Sequence, residues 1–172
     1  VTPILETQRL ILRPHVREDF PVSVALWGDP EVVRFIGGRP FTVTECWTRL
    51  LRYRGHWELL GYGYWAVEEK SSGHFVGEVG FADNKREMEP GLGDTPEAGW
   101  MIAPSAKGKG YATEAMAAAR DWIERVLGAE RTVCLISPEN TASLRVAAKL
   151  GYREYARTKL RDDEVVLLDR RR

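Results

Sequence analysis

The stretch from Glu97 to Leu127, EAGWMIAPSAKGKGYATEAMAAARDWIERVL, constrains the fold more than any other part of the chain. Ala98 to Ala103 is a short apolar run around Trp100, Met101 and Ile102, which fits a half-buried or buried strand. Pro104 ends it, because proline has no N–H for a ladder. Gly108 and Gly110 then bracket Lys109. From Thr113 the spacing turns helical, with Met116, Ala119, Ile123 and Leu127 at three- and four-residue steps. Gly128 is placed to stop that helix in a left-handed conformation.

A loop of this kind suits an anion. The N–H groups of Gly108, Lys109, Gly110, Tyr111 and Ala112 can all turn inward where two of the residues lack side chains. The first helical turn adds unpaired donors and the positive end of the dipole, and Lys107 and Lys109 add full charges. The pattern predicts a phosphate or pyrophosphate ligand. A glycine-containing turn with two solvated lysines is the plainer reading of the same residues. The Walker string is absent. The dinucleotide fingerprint fails because Thr113 replaces its third small residue, Pro104 to Lys107 separates strand from glycine, and too little chain follows for a doubly wound sheet.

KGKGYATEA resembles instead the acyl-coenzyme A pyrophosphate loop of the GNAT superfamily of N-acetyltransferases, Gln/Arg-x-x-Gly-x-Gly/Ala, here Lys107 to Ala112 with lysine in the first position. Two further segments resemble the RimJ/RimL-type branch of that superfamily. The opening ETQRLILRP is similar to its first strand. SPENTASLRVAAKLGY is similar to its Asn-x-x-Ser-x-Arg/Lys-x-x-x-Lys-x-Gly-Phe/Tyr segment, with Asn140, Ser143, Arg145, Lys149, Gly151 and Tyr152 matching.

The rest of the pattern gives the architecture. Leu10 to Arg13 reads as a strand closed by Pro14, and a helix follows around Arg17 to Trp27. Asp29-Pro30-Glu31 starts a short helix that Gly37-Gly38 ends, and Thr42-x-x-Glu45 is a capping box for a longer one. Tyr64 to Glu69 and Phe75 to Ala82 read as a hairpin about Ser71-Ser72-Gly73. Asp83 to Pro96 is a long polar connection leading into Glu97, either bordering a substrate entrance or a simple excursion. Thr132 to Ile136 is a strand, Thr141 to Leu150 a helix, and Tyr152 to Tyr155 with Glu164 to Asp169 a last hairpin. The expectation is one α/β (α+β) domain over 1–172, with a mixed central sheet of about six to seven strands flanked by helices. The resemblance implies that its central strands splay.

Basic and acidic residues balance at 25 each, which offers no global attraction to nucleic acid or an anionic membrane. No run reaches membrane-spanning length and no signal-peptide pattern opens the chain. Cys46 and Cys134 are far apart, Cys134 within an apolar run, which suits a reducing cytoplasm. His15, His56 and His74 have no Cys or His partner nearby in sequence, so no metal is expected.

The resemblance implies acetyl transfer from acetyl-coenzyme A to an amine, either a protein N-terminus or a small molecule, in a monomer or homodimer. The pantetheine arm would bond to strand backbone near Trp100, Met101, Ile102 and Ala103. The pyrophosphate would rest on Lys107, Gly108, Lys109, Gly110, Tyr111, Ala112 and Thr113, and Asn140 would bond the pantetheine arm, although it also reads as a helix N-cap. A backbone N–H near Met101 or Ile102 would hold the oxyanion. Glu97, which also reads as a solvated strand-end carboxylate, would deprotonate the amine through water, with Glu78, Asp162 and Glu164 in reserve. Many GNAT enzymes carry a tyrosine where this chain has Ala147, so Ser143 would serve the departing sulfur; it reads equally as an ordinary first-turn serine. A coenzyme A-binding sensor without catalysis and a nucleotide-binding oxidoreductase are the two readings from other classes.

Overall fold

The chain opens, in a computed structural model that describes residues 1–172, with β1 (Leu5–Glu6) and β2 (Leu10–Arg13). Leu10 and Leu12 are fully buried and alternate with half-buried Ile11 and Arg13, the two-residue period of a strand with one covered face. A 3-10 turn at Arg17–Asp19 leads into α1 (Phe20–Trp27), where Pro21 is tolerated because it falls in the first turn. Asp29 accepts from the Glu31 N–H at 2.8 Å and starts the single turn of α2 (Pro30–Val33).

The capping box expected at Thr42 forms. Thr42 Oγ1 accepts from the Glu45 N–H at 3.2 Å, and Glu45 accepts from the Thr42 N–H at 2.8 Å. It starts α3 (Val43–Leu60), which Gly61 ends at φ 73°. The hairpin β3 (Tyr64–Glu69) and β4 (Phe75–Ala82) follows, then β5 (Glu97–Ile102), α4 (Tyr111–Val126), β6 (Arg131–Ile136), α5 (Thr141–Lys149), β7 (Arg153–Leu160) and β8 (Asp163–Arg171).

The strands form one sheet in the order β1-β2-β3-β4-β5-β6-β8-β7. That is eight strands rather than six or seven, because a two-residue strand such as β1 is too short to show a period in sequence. Every neighbouring pair is antiparallel except β5 and β6. α4 and α5 bury Ala115, Met116, Ala119, Ile123, Ala147 and Leu150 against one face of the sheet, with Trp57, Trp65 and Trp122 packed edge to face. Ala98, Trp100 and Ile102 of β5 belong to that face. By alternation Glu97, Gly99 and Met101 lie on the other, which α1, α2 and α3 cover with a smaller core of Leu26, Trp27, Val32, Val33 and Cys46. No helix is long and apolar enough to cross a membrane.

Candidate active site

The parallel pair at the middle of the sheet parts almost at once. β5 and β6 share one bridged position, Glu97 with Val133, and no pairing continues towards Ile102. On its other edge β5 is fully paired with β4 from Glu97 to Ile102. The Ala103 N–H donates to the Val76 carbonyl at 2.8 Å. Antiparallel alternation then commits the Met101 and Gly99 N–H groups to β4 and turns those of Trp100 and Ile102 towards β6, from which β5 has separated. Of the two residues expected to offer an oxyanion donor, Met101 is therefore occupied and Ile102 is free.

The glycine loop stands beyond the end of β5. Gly108 and Gly110 take φ of 78° and 79°, so each needs the left-handed region that glycine enters without strain. Gly110 is the N-cap of α4 and supplies no capping side chain. No backbone N–H from Gly108 to Thr113 donates to another main-chain group; the next, Glu114, donates to Gly110 at 3.1 Å. This is a run of unsatisfied donors at the positive end of a sixteen-residue helix. Lys107 is exposed and in no ion pair. Lys109 lies 3.4 Å from Glu69, which also accepts from the Tyr111 hydroxyl. Hydrogen bonds from Tyr111 and Ser72 hold the Glu69 carboxyl down at about 2. One of the two lysines read as phosphate charges is thus partly engaged by a carboxylate forty residues earlier, a pairing that no local pattern announces.

Asn140 is the N-cap of α5, its Oδ1 accepting from the Ser143 N–H at 3.1 Å. The cap uses the carbonyl alone and leaves the amide Nδ2 as a donor, so capping and ligand binding do not compete for the same atom. Ser143 is half-buried in the first turn and its hydroxyl enters no hydrogen bond with nearby backbone. Ala147 is fully buried. Tyr152 is buried with its hydroxyl 2.7 Å from Thr132, and Tyr155 lies beneath the Arg131 guanidinium, so neither stands in for a hydroxyl at Ala147.

Glu97 is 9 % exposed rather than a solvated strand end. Arg86 grips it with two hydrogen bonds, Nε at 3.0 Å and Nη2 at 2.7 Å. Arg86 comes from the 83–96 connection, whose residues Asp83, Arg86, Leu92 and Thr95 line, with Glu97, an open hollow of about 290 Å³. Of the reserve carboxylates, Asp162 and Glu164 are exposed around the turn into β8.

Glu78 is fully buried and saturated. Trp27 Nε1 donates to it at 2.8 Å, the Tyr53 hydroxyl donates to the same oxygen, and His15 Nε2 lies 3.4 Å from the other. Burial alone would raise this carboxyl; the His15 and Tyr53 hydrogen bonds and the Arg49 charge outweigh it and hold it below the usual glutamate range. Glu78 faces Met101 across the β4–β5 pair. Beside it, Tyr64, Gly80 and Gly99 stand in one row over three strands. A Cβ at Gly80 would meet the Gly63 carbonyl oxygen at 2.3 Å, and a Cβ at Gly99 would come within 1.8 Å of the Tyr64 hydroxyl. Burial, and next the Glu97 charge, push that hydroxyl up, so it remains an O–H. Sequence reading missed this group, because its members come from separate elements and share no spacing.

No cluster of three or more His, Cys, Asp or Glu is placed to hold a metal ion. Cys46 and Cys134 are free and buried, and burial pushes both thiols up.

Known proteins match this chain in sequence and fold. A family model described as acetyltransferase (GNAT) domain matches residues 9–153. A structure of a putative GnaT-family acetyltransferase from Bordetella pertussis is 33 % identical, covers 98 % of this chain and 99 % of its own, and superposes with a TM-score of 0.87. The uncharacterized N-acetyltransferase p20 of Bacillus licheniformis is 29 % identical over 87 % of this chain and 82 % of its own. At the level of fold, the spermidine N-acetyltransferase of Vibrio cholerae, solved in complex with CoA and spermine, is 18 % identical, covers 96 % of both chains and has a TM-score of 0.75.

Proposed function

This chain belongs to the family of GNAT acetyltransferase domains, and from that premise we propose that it transfers an acetyl group from acetyl-coenzyme A to a primary amine by direct attack in a ternary complex. The observation that carries the reading is the parting of β5 from β6 beyond Glu97, which turns free strand donors into a gap that leads to the glycine loop. The thioester arm fits that gap, with Trp100 and Ile102 bonding it as a third strand would. The pyrophosphate fits the open N–H groups from Gly108 to Thr113. The acceptor is a protein N-terminal α-amine or a small amine, and the Asn140 to Tyr152 segment favours the RimJ/RimL-type branch.

In this reading the amine nitrogen attacks the thioester carbonyl carbon, and the carbonyl oxygen takes the negative charge. The Ile102 N–H is the donor placed to hold that charge. Collapse breaks the C–S bond, and the Ser143 hydroxyl hydrogen-bonds the departing thiolate while water supplies its proton. Glu97 takes the proton that the amine sheds, through water. Its oxygens each accept one bond from Arg86 and keep a lone pair for that water.

The test is release of free thiol from acetyl-coenzyme A against amino acids, polyamines, aminoglycosides and N-terminal peptides. Tight acetyl-coenzyme A binding with no thiol release from any amine would make the protein a sensor. Glu97→Gln is expected to lower the rate most near neutral pH. The rate should recover towards alkaline pH, where an α-amine with an ordinary pKa of about 8 deprotonates unaided. A pH–rate profile parallel to that of the unmodified enzyme would remove Glu97 from the mechanism.

A further inference from the structure

Three guanidinium groups meet on the α1–α3 face of β5, and two carboxylates answer them. Arg86 holds Glu97. Arg49 stacks 3.8 Å above the Trp27 ring and 4.8 Å from the Phe41 ring, and its Nη1 donates to the Tyr53 hydroxyl at 3.2 Å. Its Nε is buried without any hydrogen-bond partner. Arg52 is one turn further along α3 and therefore on the same side of the helix. It forms no ion pair. Burial, then the like charge of Arg49 and, more weakly, that of Arg86, pull its guanidinium down. Its own surface is open to solvent.

Charge decides which acceptors this face receives. Glu78 is walled in and fully bonded, and Glu97 is gripped by Arg86, so neither offers a polyamine a free carboxylate. The balance is three guanidinium groups against Glu78 and Glu97, one positive charge in surplus, with an unused donor on Arg49 and a whole unpaired fork on Arg52. We propose that the acceptor amine carries a carboxylate, and that Arg52, backed by Arg49, binds it while the amine lies beside Met101. Arginine suits this task, since its planar fork matches a carboxylate in two parallel hydrogen bonds. The proposal takes the acetyltransferase reading as its frame, but its binding step can be measured without turnover.

The experiment pairs each α-amino acid, and a set of acidic N-terminal tripeptides, with its neutral carboxamide; spermidine and 1,4-diaminobutane serve as cationic counterparts. Calorimetry on the coenzyme A-saturated protein reads binding, and thiol release from acetyl-coenzyme A reads kcat/KM. At least one acid is expected to bind on the order of 10- to 100-fold more tightly than its amide, the range of a charged hydrogen-bonded contact. Arg52→Gln should flatten that ratio and leave coenzyme A affinity unchanged, and Arg52→Lys should restore part of it. Amides or diamines that bind as well as the acids, or an Arg52→Gln loss equal for acid and amide, would overturn the proposal. An acid preference in binding without thiol release from any amine would uphold the anion site and overturn the transferase reading instead.

Discussion

At the scale of single residues, the α1–α3 face of β5 is held by contacts that leave little room for change. Gly99 has no side chain because the Tyr64 hydroxyl occupies the space, and Gly80 between them has none because a Cβ would meet the Gly63 carbonyl oxygen at 2.3 Å and Tyr64 Cα at 2.5 Å. Gly99→Ala forces the ring out of its stack on Tyr53, where the planes lie 13° apart. Overpacking of this kind costs about 1–3 kcal/mol, and the thermal midpoint should fall by roughly 3–10 °C for a chain of this size. Adding Tyr64→Phe removes the clashing oxygen and should restore most of the loss. Additive effects in the double variant would show that the ring does not cross Gly99. Glu78 gives a second prediction. Its carboxyl is held below the usual range, so the stability it contributes is complete above the ordinary glutamate pKa of about 4.3 and is lost as pH falls through the lower folded value. Glu78→Gln should cost about 3 kcal/mol at pH 7, because it leaves three buried donors without their charge. Its melting temperature should also fall less than the parent's between pH 5 and pH 3. Equal slopes for the two proteins would exclude Glu78 as the source of acid sensitivity.

At the scale of elements, the glycine loop separates two reasons for a glycine that are usually entangled. A Cβ at Gly108 would meet no protein atom within 4 Å, and one at Gly110 only Arg9 at 3.6 Å. Protein packing therefore does not forbid a side chain at either place; positive φ and the room in front of the N–H groups do. Gly110→Asn tolerates the left-handed conformation and should melt close to the parent, whereas Gly110→Val should lose stability. Both should lose coenzyme A affinity on the order of tenfold or more, with pantetheine lacking phosphates much less affected. An equal loss for both ligands by calorimetry would point to misfolding instead of a phosphate cradle. The contrast explains what could be read from sequence. Glycine loop, capping box and hairpin are local devices, each with a fixed spacing, and β2, β3 and β4 begin and end where alternation and turn residues predict. The Glu78 group is assembled from His15, Trp27 and Tyr53, up to 63 residues away, and Arg86 reaches Glu97 from an irregular connection. Such groups exist only once the sheet has fixed which strand faces which helix.

At the scale of the whole molecule, the sheet is two antiparallel blocks, β1 to β5 and β6 with β8 and β7, joined at one parallel bridge and braced on one face by α4 and α5. A seam of this kind is costly for an ordinary domain, since it leaves strand donors without partners beside a core. It is reasonable where a ligand completes the ladder. The amides of Trp100 and Ile102 should therefore exchange hydrogen faster than those of Gly99 and Met101, which β4 holds. Acetyl-coenzyme A should slow exchange at Trp100 and Ile102, and from Gly108 to Thr113, more than elsewhere. Pantetheine should protect the strand positions and leave the loop open. The bound complex should also melt higher, because a ligand at about 100 times its Kd adds about 2.7 kcal/mol to the folded state, or roughly 5–10 °C here. If Trp100 and Ile102 exchange as slowly as Met101 without ligand, the two blocks are closed in solution, and the gap cannot be the route of the thioester. If ligand raises the midpoint and slows exchange uniformly, binding is real but lies elsewhere. Only local protection on alternate residues of β5 matches a third strand laid into the seam.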